Sequence, residues 1–128
     1  TYYVFKMYKV HQDATYLPMD LICDKTKVRD NREVPMLSAS ASKDKNGSIH
    51  ITLANVDTDN AQNISLDLQS EKISGVSGRI LTSGSINDHN TFEQPDVVKP
   101  TVFNGAKVEK GRLNINLPAK SIVVLEVK

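Results

Sequence analysis

Hydrophobic positions along the chain fall into two regimes, and Pro18 separates them. Before it the spacing is helical. At about 100° per residue, Tyr3, Met7, Val10 and Ala14 share one narrow face, which Val4, Tyr8 and His11 widen. Lys6, Lys9, Gln12 and Asp13 lie opposite, and Thr1 stands where an N-cap belongs. Tyr2 and Phe5 break the pattern by falling towards the polar side. A helix with apolar residues on more than one side has more than one packing partner. The pattern predicts a helix over residues 1–14, and Pro18 ends any helical reading at or before Leu17.

After Pro18 the period changes to two. "MDLIC" is a short apolar run. In "VPMLSASASKDKNGSIHITLANV", Leu37, Ala39 and Ala41 alternate with Ser38, Ser40 and Ser42. Ile49, Ile51 and Leu53 alternate with His50, Thr52 and Ala54. The Asn46-Gly47 pair between them readily takes the positive φ of a tight turn, so this is a hairpin in sequence form. Ile64, Leu66 and Leu68, then Leu113, Ile115 and Leu117, mark two further alternating strands. "SGRILTS" is another, and "SIVVLEV", with Val123 and Leu125, closes the chain as a more fully buried one. Roughly eight short strands without helices between them predict an all-β, antiparallel two-sheet sandwich of Greek-key or jelly-roll type. Leu37, Ile49, Ile51 and Leu53 of the hairpin, with Ile64, Leu66 and Leu68 and then Leu113, Ile115, Leu117, Val123 and Leu125 of the last strands, form its expected core. "SINDHNTFEQPDVVKPTVFNGAKV" is the exception. It carries Pro95 and Pro100 and little alternation before Val102, as expected of a long irregular connection with a functional or interface role.

A length of 128 residues fits one domain with a real core. The net charge of +1, from 16 basic and 15 acidic residues without a like-charge block, points away from nucleic acid and from an anionic membrane. No apolar run approaches the roughly 20 residues of a membrane helix. Cys23 is the single cysteine, so there is no internal disulfide; in its apolar run it reads as a small core residue. The opening lacks the charged and apolar regions of a signal peptide, and nothing assigns a compartment. Five of the seven aromatic residues, Tyr2, Tyr3, Phe5, Tyr8 and Tyr16, crowd the first sixteen positions, leaving Phe92 and Phe103 for the remainder.

No catalytic constellation emerges. His11, His50 and His89 have no metal-ligand spacing, so neither metal nor cofactor is expected. His89 beside Asp88 reads as a loop brace before it reads as an oriented base. "SGVSG" lacks the order of a nucleophile elbow. Glu33, Glu71, Glu93, Glu109 and Glu126 are scattered over turns and strand faces. Asp57 and Asp59 in "NVDTDN" offer too few oxygens for Ca²⁺ and suit a turn.

Three stretches together carry a resemblance: "TYYVFKMYKVHQDATYLP", "DHNTFEQPDVVKP" and "LNINLPAKSIVVLEV". In this order they resemble the C-terminal end of α-L-arabinofuranosidases of glycoside hydrolase family 51. The resemblance implies a (β/α)₈ catalytic barrel followed by a sandwich. Residues 1–16 would be the last helix of a barrel otherwise absent here, and residues 17–128 the C-terminal sandwich. It also implies a retaining mechanism with two glutamates, whose carboxyl groups stand about 5–5.5 Å apart. Both belong to barrel strands, so no residue of this chain inherits a catalytic role. The implied parent activity is release of terminal α-L-arabinofuranosyl units from arabinan or arabinoxylan. The implied partners are the barrel of the same polypeptide, an arabinose-containing polysaccharide for the parent, and another copy of the chain in a homo-oligomer.

On this reading the domain-interface residues are Tyr3, Met7, Val10, His89, Asn90 and Phe92. Without the barrel, the opening segment is expected to pack on a second copy or to fold back on its own sheet. A carbohydrate-binding module is the rival reading; the absence of Trp and the scarcity of aromatic residues in the sandwich weigh against it. A self-sufficient enzyme is the weaker rival, for want of paired carboxylates.

Overall fold

The computed structural model describes residues 1–69 and 72–128, so Glu71 lies outside the described residues. The strand elements obey the period-two pattern. β1 (Thr15–Leu17) is followed by a small ribbon of β2 (Lys25–Lys27) and β3 (Glu33–Pro35). β4 (Leu37–Lys43) and β5 (Ile49–Asn55) form the expected hairpin, paired from Leu37↔Asn55 to Lys43↔Ile49. β6 (Gln62–Leu66), β7 (Val76–Leu81), β8 (Thr101–Val102), β9 (Ala106–Glu109), β10 (Arg112–Leu117) and β11 (Ser121–Val127) complete the chain. A six-stranded sheet, β1-β4-β5-β11-β7-β8, faces a three-stranded sheet, β6-β10-β9, and every pairing among the described residues is antiparallel. The fold is an all-β sandwich preceded by a short helix, as the pattern predicts.

Cross-strand rows explain the core. Ile51 pairs with Ala41 and Leu125, and Leu53 with Ala39 and Val123, so the middle rows of one face of the large sheet are apolar. Leu113, Ile115 and Leu117 of β10 meet it from the small sheet, and nine of the twelve expected core residues are buried. Ile64, Leu66 and Leu68 are only partly buried against this core. Ile64 and Leu66 lie on β6, an edge strand whose side chains have no neighbour on one flank, and Leu68 lies beyond its end. Gly78 stands opposite Leu125 in the inner row. A Cβ there would lie 2.6 Å from Leu125 Cδ2 and 3.1 Å from the Val124 carbonyl oxygen, so only glycine leaves room for the Leu125 side chain.

Two details depart from the sequence pattern. The "MDLIC" run forms no strand, and Ile22 is fully exposed, while Cys23 packs partly buried against the core. The hairpin turn is organised by Asp44, whose Oδ1 accepts the N–H groups of Asn46 at 2.8 Å and Ser48 at 3.0 Å; only Gly47 takes positive φ, at 89°. The side chain does the turning that the sequence pattern assigned to the Asn46-Gly47 pair. The β9–β10 turn, Lys110-Gly111, has positive φ at both residues, the geometry that matches strand twist in a two-residue hairpin.

Helix α1 spans Tyr2–Tyr8, shorter than the pattern predicts. A 3₁₀ turn follows at Lys9–His11, Asp13 takes a positive φ of 59°, and the chain becomes strand at Thr15. Strand pairing of Tyr16 with Ser42 and Leu17 with Ala41 competes with further helix and wins. Thr1 occupies the N-cap position without a side-chain hydrogen bond.

Candidate functional site

The helix lies across the outer face of the large sheet. Met7 is buried there at 8% exposure, over the face that presents Val124, His50, Thr52 and Ser42, all buried. An outer strand face of Ser, His and Thr is polar by pattern, and the helix makes it an interior. The buried polar groups are paired accordingly. His11 Nδ1 lies 2.6 Å from Ser42 Oγ and its Nε2 3.3 Å from Thr52 Oγ1. His50 Nε2 donates to Asp44 Oδ2 at 2.9 Å. Burial, and secondarily the neighbouring His50, hold the His11 pKa below its ordinary value. Burial pushes the Tyr8 phenol up.

Beside this seam lies a cleft of about 760 Å³ between α1, the outer faces of β7 and β11, and the segment from Asp96 to Asn104. Tyr3, Met7 and Val10 line it. The Tyr3 hydroxyl donates to the Asp96 carboxylate, which raises the phenol's pKa and ties the long loop to the first turn of the helix.

The loop is held by its own polar side chains. Asn90 Nδ2 donates to the Val98 carbonyl at 2.8 Å, and Asn90 Oδ1 accepts the Val98 N–H at 2.7 Å. Thr91 N–H reaches the Gln94 carbonyl at 3.0 Å, and Gln94 N–H returns to Thr91 Oγ1 at 3.0 Å. Phe92 stands at this turn fully exposed. Asp88 is bonded to Ser83 Oγ and the Ser85 N–H, and these bonds hold its carboxyl below the usual range. His89 Nδ1 donates to the Asn87 carbonyl at 2.8 Å. The two side chains therefore brace the loop through separate partners.

Of the six expected interface residues, Tyr3, Met7 and Val10 gather at the cleft, Asn90 fixes the loop, and His89 and Phe92 face solvent. Tyr2 and Phe5, out of pattern on the helix, are 69% and 74% exposed on its far side. What the sequence did not disclose is Asp96, which links helix and loop across 93 residues. At the "NVDTDN" turn, Asp57 Oδ1 accepts the N–H groups of Asp59 at 2.9 Å and Asn60 at 3.1 Å, the work of a turn brace. Among the described residues, no group of three or more His, Cys, Asp or Glu side chains is arranged to hold a metal ion. No described helix is long and apolar enough to cross a membrane.

Fold and site together define a β-sandwich domain with a helix laid over one sheet and aromatic side chains left outside it. The chain belongs to the α-L-arabinofuranosidase C-terminal domain family, which it matches over residues 1–121. It is 59% identical, over its whole length, to an intracellular exo-α-L-arabinofuranosidase of Bacteroides ovatus, of which it spans 25%. The family 51 arabinofuranosidase of Xanthomonas axonopodis pv. citri superposes on all of this chain with a TM-score of 0.94 at 39% identity, over 26% of that protein. A family 51 α-L-arabinofuranosidase of Bifidobacterium longum shares the fold over 84% of this chain and 21% of its own, with a TM-score of 0.73 at 19% identity. The chain thus spans about a quarter of the length of these relatives.

Proposed function

We propose that this chain is the non-catalytic sandwich that seats the catalytic barrel of a retaining α-L-arabinofuranosidase. The parent enzyme releases terminal α-L-arabinofuranosyl units from arabinan or arabinoxylan. The carrying observation is the two-sided helix: Met7 is buried on the sandwich, while Tyr2 and Phe5 remain open on the other side. The barrel covers that open side. Phe92, on a loop tied to the same helix through Tyr3 and Asp96, extends the contact. Residues 1–14 are then the last barrel helix and its exit; the boundary expected after residue 16 moves back, because Thr15 and Tyr16 pair with Lys43 and Ser42 in the large sheet of the sandwich. Burying each aromatic side chain contributes about 1.5–3 kcal/mol to the junction.

The test compares two contexts. Changing both Tyr2 and Phe5 to Ser in the intact enzyme should lower its melting temperature and its half-life on an aryl arabinofuranoside. The same pair in the 128-residue chain should leave the melting temperature nearly unchanged. Equal effects in both contexts would mean that the aromatic face serves the sandwich alone. The isolated chain should not hydrolyse the aryl arabinofuranoside; turnover abolished by changing one of its own carboxylates would refute the non-catalytic assignment.

A further inference from the structure

The outer face of the small sheet is a site of another kind. Cross-strand pairing arranges it in rows: Ser65, Asn114 and Lys107 across the middle, Asn63 and Asn116 on one side, Arg112 and Glu109 on the other. The first two rows and Glu109 line a groove of about 440 Å³, within the size range of small-ligand sites. A water-facing sheet surface is expected to be polar. Three asparagines are not expected, because Asn is among the residues depleted in strands. Choices that work against local propensity are expected where a site is functional or strained.

The amides are also oriented. Asn116 Nδ2 donates to Asn63 Oδ1 at 2.7 Å, and Asn114 Nδ2 donates to Glu109 Oε2 at 3.0 Å. These bonds fix each amide plane and leave Asn63 Nδ2, Asn114 Oδ1, Asn116 Oδ1 and the Ser65 hydroxyl to a ligand. Donors and acceptors alternate across the groove, which suits hydroxyl groups, since each both donates and accepts. Lys107 offsets Glu109, and Arg112 is paired with Asp67 at 3.4 Å. The local charges balance, so the favoured ligand is neutral. Among the described residues no aromatic side chain lines the groove, so the contact relies on hydrogen bonds rather than on ring stacking.

We infer that this groove is a low-affinity binding site for a neutral oligosaccharide, giving the domain a ligand function separate from seating the barrel. The experiment is a titration of the ¹⁵N-labelled 128-residue chain with an arabinan-derived oligosaccharide and, separately, a xylo-oligosaccharide, followed by amide chemical shifts. The arabinan arm rests on the proposed function. The xylan arm rests on the parent's arabinoxylan substrate, and the parent's activity is read separately, by turnover of the aryl arabinofuranoside, so the groove and the activity fail or succeed independently. Either sugar should shift resonances of β6, β9 and β10 and the side-chain amides of Asn63, Asn114 and Asn116. Changing Asn63 and Asn114 to Thr, a better strand residue, should keep or raise the melting temperature and weaken binding about tenfold. Absence of shifts with both sugars at high millimolar concentration overturns the inference. So do shifts confined to the cleft under α1, or unchanged affinity in the doubly substituted chain.

Discussion

Gly78 and His11 show how single residues in this domain are chosen by what crosses over them. At Gly78, the Leu125 side chain and the Val124 carbonyl oxygen occupy the space a methyl group would need. Gly78→Ala should therefore destabilise the chain by about 1–3 kcal/mol through overpacking, read from chemical denaturation. His11 is set between two hydroxyls, under Tyr8 and near His50, which is itself bonded to Asp44. Its pKa is lowered in the folded state, so the unfolded chain binds the proton more readily. Its contribution to stability is then complete above about pH 6.5 and is lost as pH falls through the lower folded value. Melting temperatures between pH 7 and 5 should decline less steeply in His11→Gln than in the unsubstituted chain. Asp44, Asp57 and Asp88 also have lowered pKa values, from hydrogen bonds to their carboxylates, but they act in a separate window below about pH 4. The core residues of β4, β5, β10 and β11 were legible because alternation is a local signal. Burial of Ser42, His50 and Thr52 was not, because the helix that covers them lies more than thirty residues earlier in the chain.

At the scale of elements, the hairpin, the last two strands and the irregular loop could be read from pattern and turn chemistry. The β2–β3 ribbon could not: "KTK" and "EVP" have no apolar alternation to distinguish them from loop. The helix was overread because periodicity does not record competition, and pairing of β1 with β4 takes the residues from Thr15 onward. The connection after β5 shows how an element is terminated. Asn55 is buried, and its Nδ2 donates to the Asn60 carbonyl at 2.9 Å, Pro118 at 3.0 Å and Leu117 at 3.4 Å, while its Oδ1 accepts the Asp57 N–H at 3.0 Å. One side chain thus fastens the end of β5 to the end of β10. Asn55→Ala strands these carbonyls and should cost about 2–3 kcal/mol in equilibrium unfolding. A loss below the scatter of surface substitutions would show that water replaces the amide fully.

For the whole molecule, the decisive feature is that the opening segment has already met one of its two needs. It folds back on its own sheet through Met7 and His11, so the face that still lacks a partner carries Tyr2 and Phe5. This changes which residues govern self-association of the isolated chain. Met7→Ser would loosen the helix from the sheet and expose Val124, adding apolar surface instead of removing it. Phe5→Ser combined with Tyr2→Ser removes apolar surface without touching the seam. Exposed apolar patches of several hundred Å² are uncommon on monomers and recruit partners. Sedimentation at matched concentrations should therefore show the unsubstituted chain associating weakly and the Tyr2, Phe5 double variant running as a monomer. Met7→Ser should associate more strongly. If the unsubstituted chain and the double variant sediment alike, the aromatic face is not the contact between copies, and the partner that covers it must supply specific complementarity rather than apolar area alone.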